Sequence, residues 1–189
     1  MNGSRLVQEQ KSFLRKELLR KLARVTAEEK ARRSREILKK LFGHPKFLEA
    51  QVLLTYVALP NEVETRPILE KAWERRKKVF VPRIDLDRKQ MVMIEVSRGG
   101  ELSPGSFGVP EPTFDSRRVG RPEDFELVIV PGLGFDRAGG RLGRGEGFFD
   151  RFLVDASKAY KIALAFECQI VEKIPREPGD VAVDEVLMG

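Results

Sequence analysis

The chain has 189 residues, 41% of them hydrophobic and 34% charged, with 16 glycines, one cysteine and one histidine. That length buries the core of one domain without metal or disulfide staples, and the apolar content excludes a disordered chain. The lone Cys168 and lone His44 exclude an internal disulfide, a zinc cluster and any mechanism needing a pair of imidazoles. Net charge is +6, unevenly spread: residues 1–46 hold 14 Lys/Arg against 5 Asp/Glu, and the remainder holds 21 against 24. Such a basic section meets either an anionic partner or water.

Residues 5 to 23 predict a helix with Leu6, Phe13, Leu14, Leu18 and Leu22 on one face. Lys11 and Arg15, four apart, share a face of it. Thr26-Ala-Glu-Glu29 reads as a capping box opening a second helix to Phe42, closed by Gly43 and Pro45. Gln51 to Val57 reads as a buried strand, and Thr65 as the cap of a third helix over Arg66 to Arg76. Further strands are expected at Val79–Val81, Met91–Val96, Phe125–Val130, Lys161–Phe166 and Val181–Leu187, with a helix over Phe148–Asp155. The Gly- and Pro-rich stretch from Gly99 to Pro122 reads as an irregular loop. Strand–helix alternation predicts a single α/β layered domain, residues 1–189, with a largely parallel sheet and the basic helices of residues 1–46 packed on its body. No apolar run approaches the ~18 residues of a membrane span, and the N-terminus is too polar for a secretory signal. A cytoplasmic location is expected.

Seven of the 16 glycines fall between Gly132 and Gly147, after one expected strand and before a helix, where open α/β sheets bind ligands. Gly143, Gly145 and Gly147 at alternate positions let backbone N–H groups turn toward one anion. Arg141 and Arg144 add forked donors suited to phosphate, and the following helix N-terminus adds its partial positive charge. Neither a P-loop nor the dinucleotide fingerprint is present. Asp150 and Asp180 are of the type that holds magnesium beside phosphates, and equally of the type that caps a helix or faces water. Glu62, after a strand end, is either a ligand for a substrate amine or a loop carboxylate in water.

Several segments together resemble the 5-formyltetrahydrofolate cyclo-ligase family, also called 5,10-methenyltetrahydrofolate synthetase. They are Val130-Pro-Gly-Leu-Gly-Phe-Asp136 with Gly140-Arg-Leu-Gly-Arg-Gly-Glu-Gly-Phe-Phe-Asp-Arg151, Lys11-Ser-Phe-Leu-Arg15, Asn61-Glu-Val-Glu-Thr65, Gly108-Val-Pro-Glu-Pro112 and Asp180-Val-Ala-Val-Asp-Glu185. The resemblance implies a three-layer α/β fold of the sugar-phosphate isomerase and CoA-transferase type. It implies ATP- and Mg2+-dependent closure of 5-formyltetrahydrofolate to 5,10-methenyltetrahydrofolate, through a phosphorylated imidate, with release of ADP and phosphate. Lys11, Arg15 and the run Gly140, Arg141, Leu142, Gly143, Arg144, Gly145, Glu146, Gly147, Phe148 and Phe149 fall on the family's ATP site, with Arg141 and Arg144 as its catalytic cations. Asp150 and Asp180 fall on its magnesium ligands, and Val57, Glu62, Phe148 and Phe149 on its folate contacts. The partners implied are these small molecules, the folate with or without a polyglutamate tail, bound by a monomer with no nucleic acid and no membrane. Two departures stand out: Glu146 replaces a common Lys, and Phe148-Phe149 replace a common Tyr-Tyr.

Overall fold

The computed structural model describes residues 2–85, 90–100 and 102–189. Helices α1 (Asn2–Ala23), α2 (Ala27–Gly43) and α3 (Pro45–Glu49) lead into strand β1 (Val52–Leu54), helix α4 (Arg66–Glu74) and strands β2 (Lys78–Asp85) and β3 (Gln90–Glu95). Then come β4 (Leu102–Pro104), β5 (Pro110–Pro112), β6 (Val119–Gly120), β7 (Leu127–Val130), β8 (Gly134–Asp136) and β9 (Arg141–Leu142). The chain ends with α5 (Phe148–Asp155), β10 (Tyr160–Ala165), β11 (Ile170–Val171) and β12 (Glu185–Met188). A seven-stranded sheet has the order β12-β10-β7-β1-β2-β3-β6. Its members from β12 to β2 run parallel; β3 runs antiparallel to β2, and β6 antiparallel to β3.

Successive strand side chains point to opposite faces, so each central strand feeds two cores. Leu53, Val79, Val81, Leu127, Ile129 and Ile162 pack against α2, α3 and α4 through Ile37, Leu41, Phe47, Ile68 and Ala72. Leu54, Phe80, Val128, Val130 and Ala163 pack on the other face against Phe152, Leu153 and Ala156, at and just after α5. This makes the layered α/β domain that the alternation predicts. Each fully buried Val, Leu, Ile or Phe among these contributes about 1.5–3 kcal/mol against leaving it in water.

The chain leaves β1 by way of α4 for β2 on one side, and later leaves β7 by way of α5 for β10 on the other. The strand order therefore reverses between β1 and β7, and the crevice beyond their C-terminal ends is where such a sheet receives ligands. The loop after β1 (residues 55–65) and the glycine-rich segment after β7 (residues 131–147) both open into it.

Several local expectations change. Leu6 and Phe13 (69% exposed) face water, and the inner stripe of α1 is Lys11, Leu18 and Leu22. Leu18 sits in a third cluster with Leu142 and Ile174, and a Cβ at Gly134 would lie 2.4 Å from its methyl, so the missing side chain there admits the helix. Thr26 Oγ1 accepts from Glu29 N (3.2 Å), but the Glu29 carboxylate turns to Arg33 rather than closing the box. Thr65 occupies the N-cap position of α4 but its side chain makes no capping bond; its hydroxyl donates to the Tyr56 carbonyl (2.6 Å) and accepts from Ala58 N. The stretch from Gly99 to Pro122 holds the β4–β5 hairpin and β6 in place of an irregular loop. The last strand starts at Glu185, not Val181, because Asp180 is held by Lys11 of α1 and Val181 N donates to Asp150 of α5.

Asp136, buried at the end of β8, fastens that segment. Its carboxylate accepts from the backbone N–H groups of Ala138 (2.9 Å), Gly140 (2.7 Å) and Ile174 (2.9 Å). Burial opposes its charge, yet these donors and the nearby Arg176 hold its pKa below the usual carboxylate value. A group with a lowered folded-state pKa stabilises the fold above its unfolded pKa of about 3.9 and loses that contribution as pH falls through the folded value. Asp136→Asn is expected to cost about 2 kcal/mol at pH 7. In urea unfolding, the gap between variant and native protein should narrow at pH 3; an equal gap at both pH values would refute this.

Candidate functional site

Beyond the β1/β7 switch point lies a cavity of about 710 Å³. Val57, Leu59, Pro82, Ile84, Met91 and Phe149 make part of its lining apolar; Lys11, Arg15 and Arg141 make a cationic end, and Arg144 spans from there to Glu62, which is hydrogen-bonded to Leu59. These four cations come from two segments more than a hundred residues apart in sequence.

The cationic end is assembled by salt bridges and carbonyl contacts. The Arg141 side chain, 3% exposed, donates from Nη1 to the Pro131 carbonyl (3.1 Å) and pairs through Nη2 with Asp150 Oδ1 (2.6 Å). Its Nε is buried and has no acceptor among the described residues. Asp150, in the first turn of α5, also accepts from Val181 N (3.3 Å), which brings the segment that carries Asp180 against the helix start. Lys11, 5% exposed, lies between Asp180 Oδ2 (2.6 Å) and Glu177 Oε2 (3.1 Å). Arg15 donates from Nε to the Gly143 carbonyl (2.9 Å), docking α1 on the loop. Arg144 reaches across the mouth to Glu62 (2.8 Å), whose second carboxylate oxygen accepts from Leu59 N (2.9 Å).

The glycine segment is two devices rather than one cradle. Gly134 to Leu142 form a hairpin, β8 with β9, to which β11 adds a third strand. Only residues 143–147 form the loop at the cavity, where Gly145 (φ 118°) and Gly147 (φ 68°) take left-handed conformations and Gly143 does not. Gly140 belongs to the hairpin turn, donates to Asp136, and is not part of the cavity wall. Leu142, Gly143, Arg144, Gly145, Glu146, Gly147, Phe148, Phe149, Asp150, Asp180, Val57 and Glu62 do line the cavity. Phe149 also packs against both cores, and the Arg151 guanidinium lies over the Phe148 ring at 5.0 Å. Glu146 is exposed at the loop tip.

Residues that no motif marked also shape the site. Gln8 and Glu177 border the cationic end, and Pro82, Ile84 and Met91 the apolar one. Gln8 shares a helical face with Lys11, the one signal that would have found it. Tyr56, in the loop after β1, has a buried side chain; burial, then the carboxylates of Glu62 and Glu64, raise its phenol well above 10, so it stays neutral. His44 lies elsewhere: Nδ1 accepts from Lys46 N and Nε2 meets Glu185 (3.0 Å), so the sole imidazole stands outside the cavity wall.

Among the described residues there is no cluster of three or more His, Cys, Asp or Glu that would cage a metal. Asp150 and Asp180 nevertheless share one corner of the cavity. Two carboxylates there fit a cation such as Mg2+, which takes one or two protein oxygens and completes its shell with water and phosphate. The Arg141–Asp150 pair is also structural. Arg141→Met is expected to cost about 2–3 kcal/mol, because it leaves a carboxylate poorly compensated. Arg144→Met removes a half-exposed guanidinium but leaves Glu62 only 9% exposed, and should cost less, about 1 kcal/mol. Chemical denaturation of both variants checks the contrast, and equal losses would overturn it.

The model of the 5-formyltetrahydrofolate cyclo-ligase family matches residues 7–189. The chain is 32% identical to the mouse 5-formyltetrahydrofolate cyclo-ligase, over 94% of this chain and 92% of that one. It is 26% identical to the Escherichia coli K12 protein of the same name, over 86% and 91%. The fold superposes on the NMR structure of Aquifex aeolicus 5,10-methenyltetrahydrofolate synthetase with a TM-score of 0.82 and 30% identity, covering 94% of this chain and 89% of that one.

Proposed function

The chain belongs to the 5-formyltetrahydrofolate cyclo-ligase family, and from that premise we propose that it closes 5-formyltetrahydrofolate to 5,10-methenyltetrahydrofolate at this cavity, using ATP and Mg2+. The observation that carries the reading is the polarity of the cavity. Lys11, Arg15 and Arg141, with Arg144 reaching over to Glu62, give its lining cations suited to phosphates, and Val57, Leu59, Pro82, Ile84, Met91 and Phe149 give it an apolar wall suited to a flat heterocycle. Residues 1–189 act as one catalytic unit, since Lys11 and Arg15 near one end of the chain and Asp180 near the other meet the loop of residues 143–147.

In the proposed reaction the formyl oxygen attacks the γ-phosphorus and the bond to ADP breaks, leaving a phosphorylated imidate. Folate N10 then attacks the formyl carbon, loses its proton, and phosphate departs with the C–O bonding pair. The protein's part is alignment and charge stabilisation, so no side-chain nucleophile is required. Arg141, held on two sides, offers a fixed donor to the transferred phosphoryl group, and Arg144 closes from the mouth. Lys11, Arg15, the backbone of residues 143–147 and the N-terminus of α5 surround the phosphate chain. Asp150 and Asp180 would hold Mg2+, which supplies charge neutralisation to the phosphates when bound. Glu62 orients the folate, and Val57, Phe148 and Phe149 pack against rings.

Purified protein with ATP, magnesium and 5-formyltetrahydrofolate is expected to generate the near-ultraviolet absorbance of the methenyl product. Asp150→Ala and Arg141→Ala should lower the rate by at least about a hundredfold. No ATP-dependent product from folded native protein would refute the reading. Glu146 is an exposed carboxylate beside the expected phosphates, so Glu146→Lys should lower the Michaelis constant for ATP severalfold. An unchanged or higher constant would show that Glu146 lies out of range.

A further inference from the structure

Lys11 is the most buried of the four cations by residue exposure, yet its best partner is also a candidate metal ligand. Its ammonium meets Asp180 Oδ2 at 2.6 Å and Glu177 Oε2 at 3.1 Å. An ammonium has three donors, so two are held by carboxylates and one remains for a ligand oxygen in the cavity. If Asp180 turns to a metal ion, Lys11 loses its shorter contact while still nearly sealed from water. A buried ammonium without a counter-charge is costly and would swing or withdraw.

Glu177 is built so that this does not happen. It lies outside every motif considered above and borders the cationic end of the cavity. Its Oε1 accepts from Ser4 Oγ (2.7 Å), and its Oε2 accepts from Gln8 Nε2 as well as from Lys11. Ser4, Gln8 and Lys11 follow one another at four and three residues along a single face of α1. The carboxylate is thus anchored to the helix that carries Lys11 and would stay with it. Its backbone is fixed as well: Asp180 N donates to the Glu177 carbonyl (3.1 Å) across a turn in which Gly179 has φ 101°, and Glu177 N donates to Asp180 Oδ2 (2.7 Å).

We propose that Glu177 is a positioning residue for nucleotide binding, the counter-ion that keeps the Lys11 ammonium aimed at phosphate while Asp180 serves the metal. The proposal rests on the nucleotide reading of the cavity. It assigns the two carboxylates on Lys11 different duties: Asp180 exchanges partners, and Glu177 does not.

The test is calorimetric titration with a non-hydrolysable ATP analogue plus magnesium. Glu177→Gln keeps a side-chain oxygen for Ser4 and removes the charge. It should weaken analogue binding about tenfold and leave affinity for 5-formyltetrahydrofolate within about twofold. In turnover, the Michaelis constant for ATP should rise while kcat changes little. Because Glu177 acts through Lys11, Lys11→Met and the double variant should bind the analogue equally, a non-additivity that a merely structural role would not produce. Ser4→Ala, which frees one oxygen of Glu177 and leaves both ion pairs, should weaken the analogue in the same direction, about twofold, should Glu177→Gln fail to fold. An unaltered or tighter affinity in the Glu177 variant, or additive effects in the double variant, would overturn the proposal. Native protein that binds 5-formyltetrahydrofolate but not the analogue would instead overturn the nucleotide reading, and the proposal with it.

Discussion

The buried guanidinium of Arg141 is the contact on which the site depends. It takes the carbonyl of Pro131 just after β7 and the carboxylate of Asp150 in the first turn of α5, and Asp150 in turn receives the N–H of Val181. One planar cation therefore fixes the end of a central strand, the start of the helix behind it and the segment leading to the edge strand. A guanidinium suits this because its donors diverge in a rigid plane, whereas an ammonium on a flexible stem would satisfy any one of these acceptors without setting their mutual angles. The remainder of the cavity hangs from this frame. The hairpin that ends in Arg141 is pinned by Asp136, and α1 settles on that hairpin because Gly134 leaves room for Leu18.

A second constraint follows from charge. Lys11, Arg141 and Arg144 are each paired with a carboxylate, and Arg15 rests on a carbonyl. The pairs hold the cations in place without a ligand, so their long side chains lose little further freedom when one arrives. They also nearly neutralise the site, so an incoming polyanion competes with Glu62, Asp150, Glu177 and Asp180 for the same donors. Preorganisation and competition are two consequences of one arrangement. The balance between them is set by which carboxylates stay with their cations and which let go.

Much of this was legible in the chain. Continuous apolar runs predict the central strands because a strand buried on both faces needs apolar residues at nearly every position; β1 and β7 meet that need, and β10 does apart from Lys161, whose ammonium donates to the Ala159 carbonyl. The helix over Phe148–Asp155 falls where its pattern placed it. The inner stripe of α1 departs from its apolar periodicity, because Lys11 is buried and Phe13 exposed. A salt-bridged lysine leaves no hydrophobic signature, and nothing local distinguishes it from a solvated one. Thr65 stands at the start of α4 as its type suggests, but its hydroxyl bonds the backbone of the loop after β1, which is near only in the folded chain.

By itself, then, the sequence determined the layered α/β class, the position of the glycine-rich segment between a strand and a helix, and the family pattern spread along the chain. These are properties of local spacing and residue type. What only the tertiary structure decided is which groups meet. Lys11 with Glu177 and Asp180, Arg15 with the Gly143 carbonyl, and Arg144 with Glu62 are pairs from distant parts of the chain. Hydrophobic periodicity sets the faces of strands and helices, but it does not record which charged ends those faces bring together. That is settled by sheet order and by the reversal between β1 and β7.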